Sequence, residues 1–278
     1  MKEKRISGIG QIKVYAAKCF RLFMADRQWK NFVSAFIIIF LICLVTGDDM
    51  FREYTATKKG AFAVICACIW VGLFNSIQSV CHERAIIKRE HRTGLRISSY
   101  ICAHVIYEFA LCALETLILF TAFMLRNLQN IPKPNGSIGT PAFDIYVTML
   151  LVVFGSDMLA LIISCTVKKE STAMTVMPFV LIIQLIMSGM LFDLEGVTEV
   201  ISRFTLSRWG LNAIMTVANT NDNVRSGYDI AVRDDAIAAA CEPNATNVLH
   251  KWMILAGFAL LYIVISIIML RRVDKDKR

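Results

Sequence analysis

No lysine follows any of the fourteen glycines in this 278-residue chain. A nucleotide-binding P-loop needs Gly-Lys-Ser/Thr to cradle and neutralise phosphates. Any ATP hydrolysis tied to this protein is therefore expected from another chain. Gly-x-Ser-x-Gly and His-Glu-x-x-His are missing too, which argues against a hydrolase or zinc protease. The four histidines, His82, His91, His104 and His250, have no zinc-ligand spacing. Prolines number five, there is no low-complexity stretch, and no internal repeat is visible. An inverted-repeat carrier is not supported. No cleavable leader is expected either, because the first long apolar run starts only near residue 31. That run is expected to act as an uncleaved anchor.

What is present is apolar. The chain is 56% hydrophobic, against about 45–50% for a soluble domain, and its mean hydropathy is +0.56. The excess lies in six runs: Asn31–Thr46, Ala61–Val80, Ser99–Leu125, Ile145–Val167, Thr172–Phe192 and Trp252–Leu270. Each approaches the roughly 20 residues that cross a bilayer, and backbone groups in lipid must bond within the segment, so six transmembrane helices are expected. Six of the nine cysteines (Cys43, Cys66, Cys68, Cys102, Cys112 and Cys165) lie in these runs as small hydrophobes. Cys19 and Cys81 fall on the expected cytoplasmic side and Cys241 outside. A disulfide framework within one chain is not expected, and Cys241 is either a free thiol or a bridge to a second copy. The methionines Met158, Met174, Met177, Met187 and Met190 read as packing.

With the N-terminus placed in the cytoplasm, the inside segments hold twenty of the thirty Lys and Arg, and most Asp and Glu fall outside. Both termini are then cytoplasmic. The net charge of +8 follows from this membrane pattern, and no nucleic-acid partner is expected. In residues 9–30, Ile12, Tyr15, Ala16, Cys19 and Phe23 recur at helical spacing, with Lys13, Lys18 and Arg21 elsewhere on the wheel. An amphipathic elbow helix in the headgroup layer is expected.

Three segments carry more than hydropathy. Residues 82–96, between spans two and three, mix both charge signs around Ile86 and Ile87 and stop at Gly94. This predicts a short helix and a turn that docks a cytoplasmic partner. Residues 193–249 follow span five; Val197–Ala218 is half apolar but contains Glu199, Arg203, Arg208 and Trp209, which suits an external re-entrant segment. Asn135-Gly136-Ser137 and Asn244-Ala245-Thr246 are glycosylation triplets, relevant only in a eukaryotic host. Finally, Glu108, Glu115 and Asp157 sit inside apolar runs. Such acids are either a proton or cation path or buried contacts that lock neighbouring helices. Glu108 and Glu115, seven apart, share one helix face.

The stretch Glu83-Arg84-Ala85-Ile86-Ile87-Lys88-Arg89-Glu90, then Gly94-Leu95 and Tyr100, resembles the coupling-helix segment of type-2 ABC exporter permeases of the G (white) subfamily shape. Pro178 through Ser188-Gly189-Met190-Leu191-Phe192, and Phe204-Thr205-Leu206-Ser207-Arg208-Trp209-Gly210-Leu211, resemble the end of that family's fifth span and its re-entrant helices. The wording is closest to bacterial members. The resemblance implies an all-α membrane protein: one permease domain over 1–278, with an elbow helix (9–30), a coupling loop (82–96) and an external re-entrant region (193–249). It implies a transport subunit rather than an enzyme, moving an amphipathic or hydrophobic substrate outward across a plasma membrane. Its partners would be an ABC ATPase that carries ATP and Mg, a second permease (the same or different) and membrane lipid, with no cofactor on this chain. Glu83, Arg84, Arg89 and Glu90 would contact the ATPase. Spans two and five would line the path through Phe74, Gln78, Met177, Leu181, Gln184, Leu185 and Ser188. The competing readings are an ion-coupled carrier or channel built on Glu108, Glu115 and Asp157, and a membrane scaffold without flux.

Overall fold

A computed structural model describes residues 7–25, 30–45, 49–128, 138–192, 194–220 and 241–271. Among these residues the chain is helical and contains no strand. The helices are α1 (Gly8–Ala25), α2 (Lys30–Val45), α3 (Tyr54–Ser76), α4 (Ser79–Arg92) and α5 (Ile97–Arg126). They continue as α6 (Pro141–Thr166), α7 (Glu170–Ile186), α8 (Val197–Ser202) and α9 (Leu206–Val217), and close with α10 (Ala245–Leu270). The triplet at Asn135, most of the 219–249 excursion and the basic residues of both termini lie outside the described residues.

The six apolar runs all appear as helices, with shifted ends. Four apolar stretches are long enough to cross a membrane: Tyr54–Arg92, Ile97–Arg126, Pro141–Thr166 and Ala245–Leu270. By contrast α2 and α7 are shorter, at 16 and 17 residues. The second span begins at Tyr54, not Ala61, because the helix runs on through Lys58 and Lys59. Long basic side chains can carry their charge away from an apolar surface, so polarity there does not end a helix. The fifth span stops at Ile186 rather than Phe192, where the chain turns through Gly189 at φ +78°.

At the centre stands α6, which packs on α3, α5, α9 and α10. Its contact with α3 is close at Gly72. A Cβ there would sit 2.2 Å from the Val153 carbonyl oxygen and 2.9 Å from Ser156 Cβ. Only a residue without a side chain lets the two backbones approach in this way, the small-residue packing that membrane helices favour.

The segment with mixed polarity after α7 divides into an exposed and a buried helix. Nearly all of α9 is buried, against α3, α6 and α10, and α8 keeps its apolar residues exposed. Arg203 lies 2.8 Å from Glu199 and holds that carboxyl below the usual carboxylate range. Cys241 is fully buried, 3.8 Å from the Asn212 carbonyl oxygen, and burial pushes its thiol up to about 11. A bridge to a second copy is therefore corrected: in this fold the thiol is withdrawn from any neighbour.

Gly72→Ala is expected to force α3 and α6 apart. Overpacking of this kind costs roughly 1–3 kcal/mol, read as a lower melting temperature of the purified protein in detergent.

Candidate functional site

The candidate site is α4 and the helices that hold it. It continues α3 after a break of two residues, Ile77 and Gln78. A helix that starts inside a protein has free N–H groups that need acceptors. Here Ser164 Oγ of α6 accepts from Val80 N (3.0 Å) and Cys81 N (3.2 Å). The favour is returned at the end of α6, whose last carbonyls lack intrahelical donors. Cys81 Sγ donates to Ser164 O at 3.0 Å, and Arg84 Nη1 donates to Cys165 O at 2.9 Å and Val167 O at 3.1 Å. The two helix ends cap each other. At its far end α4 stops at Gly94, whose φ of +114° suits glycine.

A second set of contacts ties α4 to α1. Gln11, Tyr15 and Lys18 are spaced i, i+4, i+7 and so share one face of α1. Gln11 Nε2 donates to Gly94 O (3.2 Å) and its Oε1 accepts from Arg96 N (3.1 Å). Tyr15 OH donates to Glu90 Oε2 at 2.8 Å, and Lys18 Nζ lies 3.4 Å from Glu83 Oε1. Glu83 also accepts from Tyr100 OH at 3.0 Å. Burial, and then the neighbouring Glu90 carboxylate, raise the Tyr15 phenol well above its ordinary value. The phenol stays neutral in the fold while an unfolded tyrosine ionises near about pH 10. Its contribution is therefore complete at neutral pH and declines only as pH rises above that value. A third tie joins His82 Nδ1 to Glu170 Oε1 of α7 at 2.7 Å.

Of the charged residues expected to meet the ATPase, Glu83, Arg84 and Glu90 are half-buried and bond to α1, α5 and the end of α6, so they also hold α4 in place. Of the four, Arg89 alone is exposed. It belongs to a stripe of exposed residues, His82, Ala85, Ile86, Arg89 and Arg92, at helical spacing. Sequence reasoning missed Gln11, Tyr15, Lys18 and Ser164. The signal for Lys18 and Tyr15 was available as matching spacing: Glu83 and Glu90 are seven apart and meet residues on a single face of α1.

The expected path residues divide. Phe74 and Gln78 are exposed on the α3 side. Met177, Leu181, Gln184 and Ser188 are buried and Leu185 is half-buried. Gln184 Oε1 accepts from Ser207 N at 3.2 Å, and the Ser207 hydroxyl donates to the Gln184 carbonyl, so Gln184 caps α9. The exposed face of α7 carries Phe179, Ile182 and Ile183.

The three membrane acids meet along the inner face of α5. Glu115 Oε2 accepts from Asn75 Nδ2 of α3 at 2.6 Å, and Cys112 Sγ lies 3.5 Å from Asp157 Oδ2 of α6. Glu108 Oε1 pairs with His104 Nε2 at 3.2 Å, and that nitrogen also lies 3.1 Å from Ser79 Oγ. Among the described residues no group of three His, Cys, Asp or Glu has metal-binding geometry. The arrangement ties α3, α5 and α6 together beside the start of α4.

The family model for ABC-2 type transporters matches residues 10–218. The chain belongs to the ABC-2 type transporter family. It is also 25% identical over 214 residues to the ABC transporter ATP-binding/permease protein Rv1747 of Mycobacterium tuberculosis. That match covers 73% of this chain and 25% of the relative, so the chain spans about a quarter of that protein's length. The apolar helices and the match together identify a membrane component of an ABC transporter.

Tyr15→Phe removes one hydrogen bond to a carboxylate, worth about 1.5–3 kcal/mol. Faster amide exchange across Ser79–Arg92, with α10 unchanged, is the expected result in a hydrogen–deuterium measurement.

Proposed function

We propose that this chain is the permease subunit of an ATP-driven exporter and that α4 receives the stroke of a separate ATPase. The observation that carries the reading is the one-sided dressing of α4. Its inner side is bonded to α1 and α6, while its outer stripe of Ala85, Ile86, Arg89 and Arg92 is exposed, with His82 at the edge joined to α7. A helix fixed from behind and apolar-cationic in front suits docking against a protein partner with acidic groups around an apolar pocket. The relative's name joins ATP-binding and permease parts in one protein, which supports an ATPase as that partner. ATP and Mg would then belong to the partner.

The basic residues of α1 and α4, with those of the C-terminal sequence, support a cytoplasmic position for α1 and α4. The exposed apolar face of α1, with Ile9, Val14 and Met24 beside Lys13 and Arg21, suits the headgroup layer as an elbow. A second permease, identical or not, would cover the exposed aromatic and aliphatic residues of α3 and α7. Trp70, Phe74 and Gln78 on α3, with Phe179, Ile182 and Ile183 on α7, would then flank the path of an amphipathic or hydrophobic substrate. The host membrane in this reading is a bacterial plasma membrane.

The test is a mild-detergent pull-down from native membranes, assayed for ATPase activity. Arg89→Glu and Ile86→Asp are expected to reduce recovered ATPase by about tenfold or more, the effect of losing roughly 1.4 kcal/mol or more at an interface anchor. Recovery of no ATPase with the wild type would sink the reading.

A further inference from the structure

A cleft of about 540 Å³ opens between α1, the α3–α4 junction and α5. It lies beside α4, is bounded by α1 on one side, and shares Phe74 and Gln78 with the α3 surface assigned to the substrate path. Its lining includes the apolar side chains of Leu22, Phe74, Ile86 and Leu111. It also carries three acid–base pairs: Lys18 with Glu83, His82 with Glu170 and His104 with Glu108. The lining thus sets three carboxylates, Glu83, Glu108 and Glu170, against one ammonium and two imidazoles. Lys18 already lies against Glu83. Glu108 is 2% exposed and only its Oε1 is engaged; Oε2 has no hydrogen-bond partner. A buried carboxylate oxygen left unpaired is costly and calls for a cation nearby. Phe74 and Tyr107 bring aromatic rings to the same cleft, and aromatic faces attract organic cations.

We propose that this cleft binds the ammonium headgroup of an amphiphile, with its apolar tail along Leu22, Phe74 and Leu111. The carboxylate of Glu108 supplies the countercharge. A membrane lipid bearing an ammonium group and a single-chain organic cation share this chemistry. The inference deepens the transport reading and rests on it only for the word substrate; binding itself does not.

The test uses the full chain in dodecyl maltoside micelles, with radiolabelled decyltrimethylammonium and decanesulfonate as probes. Saturable binding is expected for the ammonium probe, about tenfold or more tighter than for the sulfonate. Glu108→Gln keeps the side-chain volume and is expected to lose about tenfold in affinity for the ammonium probe. Glu115→Gln, which does not line the cleft, is expected to leave it within about twofold. Leu22→Trp fills the cleft from α1 and should abolish binding while the protein elutes as before. Competition by phosphatidylethanolamine, but not phosphatidylglycerol, assigns the site to a lipid; no competition by either assigns it to a single-chain cation. Equal binding of both probes, or unchanged binding in Glu108→Gln, overturns the proposal. A failed ATPase pull-down beside intact ammonium binding would overturn the exporter and leave the cleft standing.

Discussion

Helix ends are the expensive parts of a protein in lipid, because each leaves backbone donors or acceptors that no water can reach. This chain has two such ends where α6 stops and α4 starts, and it satisfies them against each other. Ser164 accepts from the first amides of α4, while Cys81 and Arg84 donate to the last carbonyls of α6. The same solution recurs where Gln184 of α7 receives the first turn of α9. Neither α4 nor α9 carries its own side-chain cap. Their positions are therefore set by other helices, and the bundle cannot shift α4 without exposing the end of α6.

The contacts behind α4 fall in three directions. Its start is bonded to α6, its acids reach α1, and His82 reaches α7. Exposed ion pairs contribute little singly, and His82–Glu170 is of that kind, while Lys18–Glu83 is half-buried. The reciprocal cap with α6 is buried and directional, and it carries most of the placement. The inner polar contacts of Asn75, Glu115 and Cys112 continue the same connection deeper into the bundle, at the level where Gly72 brings α3 against α6.

The helical runs were legible because apolar length is a strong signal. Their ends were not, since Lys58 and Lys59 read as a boundary while the helix simply passed through them. Residue type located the coupling segment, yet charge does not say which way a side chain points. Glu83 and Glu90 read as docking groups, and their carboxylates are half-buried and bonded to Lys18, Tyr100 and Tyr15. Polarity misled in the same manner at Lys18, which reads as the solvated side of an amphipathic helix and instead meets Glu83. The candidates on α7 illustrate a related point: an apolar helix face with Met177, Leu181 and Gln184 looks alike in sequence whether it meets a pore or the chain's own α9. Gln11 and Ser164 carried no local signal, because their partners lie more than eighty residues away.

Tyr54–Arg92 forms one nearly unbroken helical run of 39 residues, interrupted only at Ile77 and Gln78. At about 1.5 Å per residue it is a rod of almost 60 Å. Its tightest crossing, at Gly72, falls near the midpoint: about 25 Å from Arg89 and about 27 Å from Tyr54. The closest backbone approach in this run therefore lies midway between the exposed Arg89 and the start of α3, so a side chain added at Gly72 would disturb the support of both halves at once.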